Sequence, residues 1–178
     1  MTNMTVTRIR AFAWDYLVIL GYLAGVTAIG LLLTLGPIDR AWSEFMADAT
    51  RADLVVFLFV VLPVVLWFAL SESSPAGATW GKRRVGLVVL TACDGVPLSR
   101  GRALARNGLK FLPWQMAHTA LFHLAVAPPA PGEPPTWPLA LLAATWFLVG
   151  LYLFGLTRLG GHRPPYDRLA GTAVVREG

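Results

Sequence analysis

Residues 8–33 read RIRAFAWDYLVILGYLAGVTAIGLLL, a segment that begins with two arginines and continues into a long apolar run. A membrane-spanning helix needs about 20 mostly apolar residues, and the part from Leu17 to Leu35 carries no charge. Asp15 precedes that part on the same predicted helix, where a carboxylate next to lipid is unfavourable. The segment therefore predicts a transmembrane helix with an acidic residue near one end.

The composition also indicates a chain embedded in a membrane. Of its 178 residues, 56% are hydrophobic and 14% are charged, whereas about 25% are charged in a typical soluble domain. Basic loops on the cytoplasmic side explain the formal net charge of +5, so we expect no nucleic-acid partner. The single cysteine, Cys93, excludes an internal disulfide framework and a cysteine metal cluster. We expect neither a metal nor a cofactor.

Four stretches approach the length and apolarity of a membrane span. They are predicted at about 9–35, 54–71, 107–127 and 137–157. The third is the weakest because it carries a proline and several polar side chains, among them Gln115 and His118. The predicted fold is an all-α membrane protein, a single domain over 1–178 that forms a bundle of four transmembrane helices.

The basic residues predict the orientation of the spans. With the N-terminus inside, all of the 15 lysines and arginines lie on inner segments except Arg40 and Arg51. This asymmetry is typical of cytoplasmic loops, and three spans would leave the basic C-terminal tail outside. We therefore predict an N-in, C-in protein with a cytoplasmic loop at 72–106 and a cytoplasmic tail at 158–178. Its inner face is expected to contact anionic lipid headgroups.

The inner loop is predicted to have structure of its own. In VGLVVLTACDGVPLS, residues 85–99, an Asp94-Gly95 turn separates two apolar arms, which indicates a small β-hairpin. The following segment SRGRALARNGLKFL, residues 99–112, predicts a basic amphipathic helix that leads into span three, with Ser99 as its N-cap.

Three blocks carry a recognisable pattern. The first, RIRAFAWD, contains Arg8, Ala11 and Asp15. The second lies in the inner loop and contains Gly77, Thr79, Gly81, Lys82, Asp94, Gly95, Arg106 and Asn107. The third, PYDRLAGTAVV, contains Asp167, Gly171 and Thr172. In this order the blocks resemble the RDD family of bacterial integral membrane proteins, named for one arginine and two aspartates. The resemblance implies a multi-span protein of the bacterial cytoplasmic membrane, for which transport has been proposed.

The resemblance makes Arg8, Asp15 and Asp167 a charged cluster, and Lys82, Arg106 and Asn107 its supporting residues. Arg8 and Asp15 share a helix face but lie two turns apart, too far for an easy salt bridge. Asp15 must find another partner or bind a proton, and we expect Arg106 or Lys110 in that role. Asp167 is expected to contact Arg8. Two roles stay open for the cluster: an ion-pair network that holds the tail and loop against span one, or a titrating or cation-binding site.

Other motifs are given structural roles. The segment GATWGKRR is not a phosphate-binding P-loop, because glycine is missing at Ala76 and serine or threonine at Arg83. His118 and His123 do not share a helix face, so hydrogen bonding between helices is expected for His118 rather than metal binding. With Gln115 it is also a candidate to line a polar path. Gly21 and Gly25 form a G-x-x-x-G pattern that predicts packing inside the bundle, with a dimer seam as the alternative.

Transport or transport support is the predicted function, cation- or proton-linked through Asp15. The alternative is a non-transporting scaffold or accessory subunit that binds other membrane proteins through its basic inner loop. We expect no enzyme, because no nucleophile–base or paired-carboxylate arrangement is apparent. Four helices are few for a solute pathway, so a homo-oligomer is expected.

Overall fold

The computed structural model describes residues 4–125, 136–157 and 162–177. The helices are α1 (Met4–Leu35), α2 (Asp39–Met46), α3 (Ala49–Val56), α4 (Leu62–Glu72), α5 (Trp80–Arg84), α6 (Arg100–Ala125), α7 (Thr136–Leu156) and α8 (Pro165–Leu169). The strands are β1 (Leu87–Thr91) and β2 (Thr172–Arg176). A π-helical turn, Phe57–Val61, connects α3 to α4. The chain is thus mostly helical, with a small two-stranded sheet.

Within the described residues, three helical segments are long and apolar enough to cross a membrane. They are Met4–Leu35, Ala49–Glu72 and Thr136–Leu156. Few of their residues are buried against protein, and Leu32 and Leu35 of α1 are 71% and 82% exposed. Such apolar surface requires lipid around it. The predicted third span falls within α6, which is long but not among the three, and its last residues lie outside the described part of the chain.

The chain divides into two compact units. Unit 1 contains 1–20, 64–111 and 149–178, and unit 2 contains 21–63 and 112–148. The apolar core of unit 1 joins the sheet to helices α1, α4 and α6. Its buried members are Ala11, Ala69, Leu87, Val89, Leu98, Ala103 and Val174.

The predicted β-hairpin is wrong in its second arm. The turn itself forms, since the Thr91 N–H donates to the Val96 carbonyl at 2.9 Å and Gly95 adopts a φ of +66°. The returning arm makes only an isolated bridge between Leu90 and Pro97. The next N–H on this edge of β1, that of Val89, donates to the Gly77 carbonyl at 2.8 Å instead, so this arm does not continue as a strand.

The C-terminal tail forms the second strand, along the other edge of β1 from this arm. Strand β2 pairs antiparallel with β1, from Leu87 opposite Arg176 to Thr91 opposite Thr172. The sheet therefore fixes the end of the chain against the inner loop. The loop differs from expectation in that it contains the short helix α5. Its basic amphipathic stretch forms the first part of α6, as predicted for a segment that leads into the third predicted span.

Unit 2 contains α2, α3 and the π-helical turn. In it, the Asp53 carboxylate accepts hydrogen bonds from Gln115 Nε2 and Thr119 Oγ1, each at 2.9 Å. The π-helical turn ends just before Pro63, which lacks the N–H that would bond the Phe59 carbonyl in an α-helix. The Tyr22 hydroxyl donates to that carbonyl. A side chain thus replaces the donor that the proline removes.

Helix α6 also contains a proline, and a side-chain hydroxyl again replaces the backbone donor that this proline lacks. Pro113 lies inside the helix and cannot donate to the carbonyl one turn earlier, that of Leu109. The Tyr152 hydroxyl of α7 donates to this carbonyl at 2.6 Å. Prolines are tolerated in membrane helices where neighbouring groups satisfy the freed backbone in this way.

Candidate functional site

Unit 1 contains a network of buried ionised side chains, here called the charge cluster: Arg8, Glu72, Lys82, Arg106 and Asp167. Each comes from a different helix, α1, α4, α5, α6 and α8 respectively. Glu72 and Asp167 are 0% exposed and Arg106 is 1% exposed. Buried charges persist only where they are paired and hydrogen-bonded, so the contacts within this cluster hold these five segments together.

Arg106 is the centre of the charge cluster. Its Nε donates to Asp167 Oδ1 at 2.8 Å, and its Nη1 lies 2.8 and 2.7 Å from the two Glu72 oxygens. The other Asp167 oxygen accepts from Arg8 Nη2 at 2.7 Å, so the predicted contact between Arg8 and Asp167 is present. Glu72 also pairs with the Lys82 ammonium.

Asn107 supports the charge cluster directly. Its amide Nδ2 donates to Glu72 Oε2 at 2.7 Å and to the Ala103 carbonyl of its own helix at 2.9 Å. The predicted supporting residues Lys82, Arg106 and Asn107 therefore all meet at Glu72.

Burial and neighbouring charges act on the cluster in opposite directions. Burial alone would raise the pKa of Asp167, but the charges of Arg106 and Arg8 outweigh it and hold that pKa below its usual value. Burial lowers the pKa of Lys82, and the Glu72 carboxylate only partly offsets it. The two arginines thus favour the ionised form of Asp167.

Asp15 is also buried, with 1% exposure, but it is not held by an ion pair. Its Oδ2 accepts a hydrogen bond from Thr79 Oγ1, and its Oδ1 accepts one from the Gly81 backbone N–H, both at 2.6 Å. The prediction of a cationic partner in Arg106 or Lys110 is wrong: among the described residues no salt bridge to Asp15 is present. The Arg106 guanidinium is occupied by Glu72 and Asp167 instead.

Gly81 explains how a backbone group reaches Asp15. A Cβ at this position would lie 2.8 Å from the Asp15 backbone nitrogen and would overlap the Ala11 carbonyl oxygen. Only glycine therefore lets the start of α5 come this close to α1. Gly81 and Thr79 of the second sequence block are thus the hydrogen-bond donors for Asp15 of the first block.

A cavity of about 440 Å³ lies beside Asp15 within unit 1. Its charged lining is Arg8, Asp15, Lys82, Arg106 and Lys110, and apolar side chains of α1 and α7 form much of the rest. Lys110 has no hydrogen bond or salt bridge to the described residues. Its ammonium nitrogen instead lies over three aromatic rings, 3.8 Å from the centroid of Phe68, 4.9 Å from that of Phe111 and 5.2 Å from that of Phe12.

Two predicted features lie outside this site. His118 belongs to unit 2, and its Nδ1 contacts the Trp114 carbonyl of its own helix at 2.9 Å, which differs from the expected bond between helices. Gly21 and Gly25 also belong to unit 2, and nothing lies within 4 Å of a Cβ built on either one. Packing of these glycines inside the chain is therefore not found among the described residues, and the dimer seam stays a prediction.

Glu72 is the central residue that the sequence analysis missed. The predicted second span ends at residue 71, which places Glu72 in the loop. The sequence does contain a signal for its role, because the uncharged segment 54–71 is followed directly by this acidic residue. A carboxylate at the end of a span needs a cationic partner, and the basic residues of the inner loop were the available ones.

These features define the class of the molecule: an integral membrane protein whose apolar helices enclose a buried set of paired charges. The model of the RDD family matches residues 4–171, and the chain belongs to the RDD family. This confirms the resemblance seen in the three sequence blocks. Comparison with curated proteins and with solved structures gives no match.

Proposed function

We propose that this RDD-family protein is a four-span protein of the bacterial cytoplasmic membrane, with both termini inside, that transports a solute in a process linked to a proton or small cation at Asp15. In this proposal α6 is the fourth span. At 26 residues and about 1.5 Å of rise per residue, it is long enough to cross the roughly 30 Å hydrocarbon core. The inner location of nearly all basic residues supports the orientation.

The observation that carries the proposal is the contrast between Asp15 and the other two buried acids of unit 1. Glu72 and Asp167 are held by arginine and lysine, whereas Asp15 is held by neutral donors and lines the cavity. Asp15 can therefore accept a proton or bind a cation without leaving a cationic partner unpaired. The Thr79 hydroxyl can both donate and accept, so it fits either form of the carboxyl group.

Ion exchange in everted membrane vesicles tests the proposal. We expect proton movement on addition of Na⁺, K⁺ or Li⁺ to vesicles with the wild-type protein and its loss in Asp15→Asn, compared at equal amounts of folded protein. Asp39→Asn is the matched control, because Asp39 is exposed at the start of α2 and should retain full activity. If wild-type vesicles move no more protons than empty ones, coupling to these cations is excluded.

A second candidate function is a scaffold or accessory subunit, and the surface of α5 favours it. The Arg84 guanidinium lies 4.6 Å from the Trp14 ring centroid and 4.3 Å from that of Trp80, and the adjacent Arg83 is exposed. Tryptophan and arginine are enriched among the residues that contribute most to binding at protein interfaces. A stable co-purifying membrane protein, lost in Arg83→Ala/Arg84→Ala but retained in Asp15→Asn, would support this function over transport.

A further inference from the structure

We propose that the cavity beside Asp15 is a specific site for an anionic phospholipid. Lys110 binds the phosphate of the headgroup, and the apolar side chains of α1 and α7 contact an acyl chain. This inference does not depend on transport, because a lipid can occupy the cavity in either of the functions above.

The charges of the site favour an anion. Four cationic side chains (Arg8, Lys82, Arg106 and Lys110) accompany three acidic ones (Asp15, Glu72 and Asp167). Among these described groups every cation except Lys110 forms a salt bridge with an acid. The site as a whole therefore has one positive charge in excess, and Lys110 is the cation among these groups that has no salt bridge.

The surroundings of Lys110 leave its hydrogen-bonding capacity unused. The three rings of Phe12, Phe68 and Phe111 stabilise the ammonium group through their π-faces, but they offer no lone pairs. An ammonium group carries three N–H donors. Because Lys110 lines the cavity, phosphate oxygens placed there would both accept these hydrogen bonds and neutralise the excess charge.

The other walls favour a lipid over a water-soluble anion. Ile9, Phe12 and Leu153 line the cavity and are 56%, 42% and 60% exposed. Ile9 and Phe12 belong to α1 and Leu153 to α7, both of which are candidate membrane spans, so these exposed apolar side chains are available for contact with lipid. A lipid can thus enter from the side, with its headgroup at Lys110 and its chain along these residues.

Lipid-dependent stabilisation tests this site. Purified, delipidated protein in a neutral detergent is titrated with dioleoylphosphatidylglycerol or dioleoylphosphatidylcholine, and its thermal unfolding is followed. A ligand that binds the folded state raises the midpoint in proportion to its occupancy. We expect phosphatidylglycerol to bind wild-type protein at least tenfold more tightly than phosphatidylcholine. Equal affinities would overturn the proposal.

Variants at Lys110 test whether the preference for phosphatidylglycerol over phosphatidylcholine arises at the cavity. Lys110→Gln should lose the preference for phosphatidylglycerol but keep or raise its lipid-free midpoint, because it removes an excess charge. Lys110→Arg should retain the preference. Arg102→Gln is the matched control, since Arg102 lies on the same helix but is exposed and should bind as wild type does. A Lys110→Gln protein that still prefers phosphatidylglycerol would overturn the site.

Two further measurements separate a lipid from a free anion and protect the test against misfolding. Inorganic phosphate and glycerol 3-phosphate should not stabilise the protein. If either reproduces the lipid effect in a Lys110-dependent way, the site takes a soluble anion and the lipid proposal fails. Leu153→Asn alters an exposed wall residue and should weaken phosphatidylglycerol binding several-fold. Unchanged binding in this variant would also refute the proposed position of the chain.

Discussion

Gly81 donates its backbone N–H to the Asp15 carboxylate at 2.6 Å, and this contact places the start of α5 directly against α1. It requires the absence of a side chain at position 81, because a Cβ there would overlap the backbone of α1. The Asp15 carboxylate, in the apolar helix α1, thus accepts a hydrogen bond from the backbone of the inner loop, which lies directly against the helix.

Replacing Gly81 tests this contact. We expect Gly81→Ala to lower the free energy of unfolding by about 3 kcal/mol, the upper range for overpacking a buried site. Gly101→Ala is the matched control: nothing lies within 4 Å of a Cβ there, and alanine is favoured over glycine in a helix by up to about 1 kcal/mol. Denaturation in detergent should give opposite signs for the two. Equal stabilities would show that α5 does not approach α1 this closely.

Arg106 is expected to be the most sensitive position of the charge cluster. Arg106→Gln leaves Glu72 and Asp167 without their shared cation, and removing one partner of a buried pair costs about 3–5 kcal/mol. Arg106→Lys should rescue little, because an ammonium group cannot reproduce the fork that contacts both acids. Unfolding midpoints and yields of folded protein measure this effect. Arg102→Gln, on the exposed face of α6, should change stability by less than about 0.5 kcal/mol.

The pairing of β1 with β2 can be tested by cross-linking. Val88 and Val175 are opposite each other in the sheet, and both are half-buried. In a Cys93→Ser background, cysteines at these two positions should form a disulfide under mild oxidation, visible by gel mobility. Cysteines at Val88 and Val174 are the control, because a shift of one residue turns the side chain to the other face. Equal cross-linking of both pairs would contradict this register.

Acid should destabilise the protein through Asp167. Its pKa is held below the unfolded value, which is about 3.9 for aspartate. The ionised form therefore contributes stability that is fully present above about pH 4 and is lost as the pH falls through the folded pKa. Asp167→Asn should be less stable at pH 7 and should lose less on acidification. Parallel stability curves of wild type and variant from pH 7 to pH 3 would contradict this assignment.

Hydropathy and a shared position near one surface are the features of this fold that can be predicted from the sequence. The apolar segments in α1, α3–α4 and α7 can be predicted from composition. The contact between Arg8 and Asp167 can be predicted because both are expected near the same surface. The partners of Asp15 could not be predicted from the sequence, because the choice between a nearby arginine and a backbone N–H depends on how closely two segments approach. That distance is set by Gly81, whose effect is visible only once α5 and α1 are placed.

The sheet shows a different limit. Local turn chemistry favours Val96–Leu98 as the partner of β1, but on that edge the Val89 N–H donates to the Gly77 carbonyl. The tail segment TAVVR pairs along the other edge of β1. Long-range pairings of this kind depend on tertiary contacts that a local pattern does not encode.

Two backbone carbonyls that lose their helical N–H donor to a proline have a consequence for how the helices associate. A helix normally completes its backbone bonding alone, but the carbonyls of Phe59 and Leu109 receive hydroxyl donors from Tyr22 and Tyr152 on other helices. In hydrocarbon an unsatisfied carbonyl costs several kcal/mol, so the candidate span Ala49–Glu72 would carry this cost at Phe59 until it meets Tyr22. Where such helices lie in lipid, a hydroxyl–carbonyl contact gives their association a specific and directional contribution that apolar contact alone does not provide.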